Sequence, residues 1–140
     1  MRGRRTAKER LMPAPGAIKT LIADDQQSMR SLIRTSLNAL GINQTREAAD
    51  GEDALRMLLA QPVNLVITDF NMPKLDGLGL LRAIRAHGPI SKTAVIMLTG
   101  RADRELVQRA VQFGVNNYLV KPFTTQILKE KIEAVFGPLE

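Results

Sequence analysis

Val63-Asn64-Leu65-Val66-Ile67-Thr68-Asp69-Phe70-Asn71-Met72-Pro73 is the stretch that decides the fold. An apolar run of this length, rich in β-branched residues, has the pattern of a strand buried on both faces. It ends on a carboxylate, Asp69, and then breaks at Asn71 and Pro73. In open α/β sheets the carboxyl ends of the strands are where ligands bind. Asp69 is therefore a candidate nucleophile, because a carboxylate can carry a phosphoryl group.

Working outward, short apolar runs alternate with amphipathic stretches. Strands are predicted over 19–23, 43–48, 63–68, 94–98 and 117–120. Helices are predicted over 26–40, 52–60, 78–86, 103–113 and 124–136. The first helix places Met29, Leu32, Ile33, Ser36, Leu37 and Leu40 on its inner face and stops at Gly41. The second turns Ala54, Leu55, Leu58 and Leu59 inward. His87 sits near Gly88-Pro89 at a helix end and reads as structural. Five βα units imply a parallel sheet covered on both faces, a three-layer α/β sandwich.

The composition fits this reading. In 140 residues, 44% are hydrophobic and 24% charged, as in a soluble globular domain. Cysteine is absent, so disulfides and thiolate metal sites are excluded. No apolar run reaches the length of a membrane span, so no membrane insertion is expected. The net charge of +6 is concentrated in residues 1–10, where Arg2, Arg4, Arg5, Lys8 and Arg10 face only Glu9. Residues 1–17 read as a basic arm and linker, disordered in solution, and 18–137 as the domain. Met12 is an alternative start that would leave the arm outside the native chain.

The chemistry gathers at predicted strand ends. Asp24 and Asp25 follow the first strand, Asp69 the third, Thr99 and Gly100 the fourth, and Lys121 the fifth. A parallel sheet brings all of them to one edge. Asp25 is also suited to cap the helix that follows. Three crowded carboxylates repel, and a divalent cation relieves the repulsion. With oxygen ligands only, a hard ion such as Mg²⁺ is favoured. Lys121 would add a point positive charge and Thr99 a hydroxyl donor, a set suited to phosphoryl transfer.

These residues together resemble a response-regulator receiver domain. The resemblance is carried by Asp24-Asp25, Asp69-Phe70-Asn71-Met72-Pro73, Asp76-Gly77, Thr99 and Lys121-Pro122-Phe123, and covers about residues 18–137. It is nearest to stand-alone chemotaxis receivers of the CheY type. It implies a flavodoxin-like fold with strand order 2-1-3-4-5. It further implies phosphorylation of Asp69 by a sensor histidine kinase or histidine phosphotransfer protein. Mg²⁺ would be held by Asp25, Asp69 and the backbone carbonyl of Asn71, with Asp24 acting through water. Lys121 would pair with the phosphoryl group, Thr99 would swing toward it, and Tyr118 would turn inward behind Thr99. The face formed by about residues 103–129 would then change its affinity for a protein target. A cis peptide before Pro122 is common in the family. The same resemblance implies a cytoplasmic monomer or weak dimer that does not bind DNA directly.

Two roles stay open within that family: a chemotaxis output, and a phosphorelay intermediate or kinase-controlling adaptor. An aspartate-nucleophile phosphatase of the haloacid-dehalogenase type needs a second acid two residues after the nucleophile, and Asn71 stands there. Arg101, two residues after Thr99, is basic where chemotaxis receivers commonly carry an acid, and is expected to alter the lifetime of the acyl phosphate. Gln26 and Gln27 replace a frequent apolar or aromatic residue, which bears on the choice of partner.

Overall fold

The computed structural model describes residues 14–100 and 104–139. Five strands form one parallel sheet: β1 (Lys19–Ala23), β2 (Gln44–Ala48), β3 (Leu65–Asp69), β4 (Ala94–Thr99) and β5 (Asn117–Val120), in the order β2-β1-β3-β4-β5. The helices between them are α1 (Gln27–Ala39), α2 (Gly51–Ala60), α3 (Gly77–Ala86), α4 (Arg104–Gln112) and α5 (Thr125–Phe136). The expected fold and strand order are both present. Residues 1–13, and Arg101 to Asp103 at the expected start of the fourth helix, lie outside the described residues.

The central strands explain why their sequences read as unbroken apolar runs. Every residue of β3 and β4 is buried, because helices cover both faces of the sheet. Alternate side chains feed two cores. Leu21, Val66, Val95 and Met97 point toward α2 and α3, whose Ala54, Leu58, Leu80, Leu81 and Ile84 join them. Ile22, Ile67, Ile96 and Leu119 point the other way, against Ile33 and Leu37 of α1 and Leu128 and Ile132 of α5. The edge strand β2 buries only Ala48, which is why its sequence signal was weak.

Two inward assignments are corrected. Leu32 and Leu59 are 49% and 48% exposed. The sheet meets each helix along a narrow stripe, Ile33-Ser36-Leu37 on α1 and Ala54-Leu58 on α2. Leu32 and Leu59 lie roughly a quarter-turn to the side of those stripes. The ends of the helices follow local chemistry. Gly41, with φ 84, stands just past α1, where the expected stop falls. Asp50, Asp76 and Thr124 cap α2, α3 and α5 by accepting the amides of Asp53, Gly79 and Ile127. His87 is the C-terminal cap of α3, its ring Nδ1 2.7 Å from the Ala83 carbonyl oxygen, a structural place as expected. Among the described residues no helix is long and apolar enough to cross a membrane.

One buried polar atom fits nothing around it. The Thr20 hydroxyl is fully buried on the face lined by Ile18 and Ile22 and has no hydrogen-bond partner. A buried, unpaired hydroxyl costs about 1–3 kcal/mol. Thr20→Val should therefore stabilise the protein by about 1 kcal/mol, read as a higher urea midpoint at unchanged slope. A lower midpoint would contradict this account of the β1 core.

Candidate functional site

The carboxyl edge of the sheet collects the predicted residues. Asp24, Asp25 and Asp69 each place a carboxylate oxygen within 4.8 Å of the others. Asp69 closes β3 and is 8% exposed. Its Oδ1 accepts the Phe70 amide at 2.9 Å and lies 3.3 Å from the Lys121 ammonium. Lys121 is delivered by β5, whose ladder with β4 continues one step further as the Lys121 amide donates to the Thr99 carbonyl at 2.8 Å. The Lys121-Pro122 peptide is cis, as the resemblance implies. Thr99 ends β4 and is 4% exposed.

Asp24 and Asp25 play different parts from those their sequence suggests. Asp25 is exposed and does not cap α1, whose N-cap is Gln26, without a side-chain cap. It is the buried Asp24 that receives the Gln26 amide, at 2.8 Å to Oδ1. β1 ends at Ala23, and the Asp24 carboxylate just beyond it turns to the Gln26 amide at the entry to α1, while Asp25 stands exposed. The Asp24 Oδ2 is buried with no hydrogen-bond partner. Burial raises the Asp24 carboxyl pKa above its ordinary value; the Gln26 amide opposes this, the neighbouring Asp69 charge adds to it, Lys121 lowers it and Asp25 raises it. An orphaned carboxylate oxygen beside two more carboxylates, with oxygen donors only, suits a hard divalent cation.

Other residues at this edge hold the site in place. Gly77 opens α3 against the strand end: its amide donates to the Phe70 carbonyl at 2.9 Å, and a Cβ there would run into the Asp69 carbonyl oxygen and the Met97 sulfur. The loop between turns at Lys74, φ 70, a left-handed conformation uncommon outside glycine, with its ammonium 3.8 Å from Asp50 Oδ2. The Asn71 side chain is exposed two residues beyond Asp69. Tyr118 lies lower on β5, opposite Met97 in register, half-buried, with the Lys131 ammonium 4.7 Å from its ring centre. It lines a groove with Arg104, Val107 and Gln108.

The profile of the response regulator receiver domain matches residues 20–133. The chain belongs to that family. A protein described as a probable chemotaxis protein CheY from Rhizobium etli is 51% identical over 123 residues, which is 88% of this chain and 95% of that protein. Among solved structures, chemotaxis protein CheY4 of Vibrio cholerae superposes with a TM-score of 0.79 at 30% identity, covering 84% of this chain and 98% of that one. The receiver domain of a sensor histidine kinase from Pseudomonas aeruginosa superposes with a TM-score of 0.78 at 29% identity, covering 86% and 98%. That structure carries a magnesium ion coordinated in its active-site cleft. The chain is thus a receiver homologous to the CheY chemotaxis response regulators, signalling proteins of two-component systems.

In this receiver the sequence pointed to the acidic residues, Thr99 and Lys121, and missed the pair that braces them. Arg30 donates from Nη1 to the Asp24 carbonyl at 2.7 Å and from Nε to Glu47 at 3.1 Å; Arg34 also reaches Glu47. This tie fixes the backbone of the acidic pair to the edge strand. Its only sequence trace was helical spacing, Arg30 and Arg34 being four residues apart, which alone reads as a solvated face. Arg101 lies outside the described residues.

The raised Asp24 pKa has a stability consequence with a definite sign. The folded protein holds the proton more tightly than the unfolded chain, whose value is near the ordinary 3.8. The ionised form therefore costs stability above the folded pKa, and that cost disappears as pH falls from the folded value through the ordinary one. With divalent ions chelated, Asp24→Asn should raise the melting temperature at pH 7, and its advantage should shrink as the pH is lowered toward 4. An advantage that grows on acidification would reverse the assignment of Asp24 as the strained carboxylate.

Proposed function

We propose that Asp69 is the phospho-acceptor of this receiver. The observation that carries the reading is the convergence of Asp24, Asp25 and Asp69 on one point with the Lys121 ammonium 3.3 Å from Asp69. A carboxylate oxygen of Asp69 attacks the phosphorus of a phosphohistidine on a sensor kinase or histidine phosphotransfer protein. The phosphorus–nitrogen bond breaks, imidazole leaves, and an aspartyl phosphate forms. Water later attacks the phosphorus, releasing phosphate and restoring the carboxylate. The protein is a signalling switch that promotes its own phosphoryl uptake and loss and turns over no metabolite.

Asp25, Asp69 and the backbone carbonyl of Asn71 would hold Mg²⁺, with Asp24 acting through water. When bound, the ion neutralises charge developing on the phosphoryl oxygens. Lys121 offsets the same charge from the other side. Thr99 offers its hydroxyl to a phosphoryl oxygen, and Tyr118 follows it inward. The face of about residues 103–129, which includes the exposed Val111, Val120 and Ile127, carries the change to a protein target. The likeness to chemotaxis receivers supports a chemotaxis output, in the cytoplasm, by a monomer or weak dimer. Residues 18–137 form the receiver unit, and the short 3-10 helix Pro15–Ala17 lies against it with Pro15 buried.

The test is direct. With Mg²⁺ and a small phosphodonor, the wild type should gain one phosphoryl mass and Asp69→Ala none. Lys121→Ala should slow uptake on the order of 100-fold, as removal of a charge-stabilising group does. Equal labelling of wild type and Asp69→Ala would remove Asp69 from the mechanism.

A further inference from the structure

We propose that Arg30 is a positioning residue for the cation site: it fixes the plane of the Asp24–Asp25 peptide and so aims the Asp25 carboxylate at Asp24 and Asp69. That a cation binds there rests on the reading above; the tie itself does not.

Asp24 stands one step past the end of β1. Its amide still follows the sheet and donates to the Ala48 carbonyl of β2 at 3.1 Å. Its carbonyl turns to a side chain instead, accepting Arg30 Nη1 at 2.7 Å. Arg30 Nε donates to Glu47 Oε1 at 3.1 Å, and Glu47 is the β2 residue just before Ala48. Both backbone groups of Asp24 are thus tied to the same edge strand, one directly and one through a guanidinium. A planar guanidinium bonded through two of its nitrogens cannot turn without losing one of the bonds. The carbonyl that it holds lies in one rigid plane with the Asp25 amide. Arg30 therefore sets the direction in which the chain carries Asp25 out of the strand end.

Local chemistry does not account for an arginine here. Arg30 lies at the start of α1, where its amide donates to the Gln26 carbonyl, and the first turn holds no acidic residue. A cation at a helix N-terminus runs against the helix dipole. The Arg30 side chain is also only 16% exposed, and a charge so far out of water needs partners. Glu47 and the Asp24 carbonyl are those partners. Arg34, one turn on, is bonded to the same Glu47 carboxylate at 2.5 Å from a more exposed place. It is a matched arginine without the Asp24 bond.

Charge and position have opposite signs at this site. By charge alone, a guanidinium beside the acidic pair opposes a divalent cation, so removing it would tighten binding. By position, removing it frees the peptide that carries Asp25. Loss of a group that orients a metal ligand weakens metal binding by about tenfold or more.

The full chain is titrated with Mg²⁺ alone, followed by the amide shifts of residues 24–26 and 69–71, and its amide hydrogen exchange is read separately in chelator. Arg30→Met should raise the Mg²⁺ Kd about tenfold. Arg30→Lys, which keeps the charge and loses the fork, should raise it as well, by less. Arg34→Met makes the same charge change on the same helix and should leave the Kd within about twofold, since an exposed charge is screened. In chelator, Arg30→Met should speed exchange of the Gln26 amide, which is bonded to Asp24 Oδ1, by about tenfold and leave the Leu21 and Ile22 amides unchanged. Unchanged or tighter Mg²⁺ binding in Arg30→Met overturns the proposal. So do wild-type affinity in Arg30→Lys, an equal loss in Arg34→Met, and unchanged exchange at Gln26. A wild type that binds no Mg²⁺ counts against the cation site, and the exchange in chelator still decides the tie.

Discussion

Three carboxylates share one edge of a sheet with a single ammonium 3.3 Å from one of them, and the structure is organised around that crowding. Like charges this close destabilise the fold unless something positive or hydrogen-bonding stands beside them. The amides of Gln26 and Phe70 each take one oxygen, and Lys121 shares the Phe70-bonded oxygen of Asp69. The remaining Asp24 oxygen is left without a partner. A site that is under-neutralised when empty responds strongly to a cation, which offsets its excess negative charge, and to a phosphoryl group, which adds to it. That is the physical root of a switch. A fully compensated site would be more stable and would have nothing to report.

Such a site needs a rigid frame on one side and a loose one on the other. The amino edge of the sheet is firmly tied. Asn64 exchanges hydrogen bonds with Lys19 on β1, its carbonyl accepts the Ala94 amide, and Arg85 ties the entries to β4 and β5. At the carboxyl edge the strands deliver their charges into loops, and α4 covers its part of the sheet with a single buried residue. Arg30, bonded to Glu47 and to the Asp24 carbonyl, ties the backbone of the acidic pair to the edge strand.

Much of this was legible along the chain. The fully buried β3 and β4 announced themselves as continuous apolar runs, and Gly41 marked the end of α1. The acidic residues, Thr99 and Lys121 could be placed at one edge because parallel strands put all carboxyl ends together. Leu32 and Leu59 were misjudged because helical spacing identifies an apolar side without its width, and the sheet takes only a narrow stripe. Asp25 was a reasonable helix cap by residue type, yet the turn at the strand end gave that amide to Asp24.

Periodicity and the order of chemical residues along the chain determined the alternation of elements and which side chains reach the carboxyl edge, because both depend on local backbone geometry and on strand direction. Tertiary structure alone decided which carboxylate is buried and strained, which arginine braces the acidic pair, and that Arg85 ties the chain entering β4 to the chain entering β5. Those outcomes depend on contacts between residues far apart in the sequence, such as Arg30 with Glu47, Arg85 with Asn116 and Lys121 with Asp69. A long polar side chain has many solvated orientations of similar energy, and only the neighbours that folding brings to it select one.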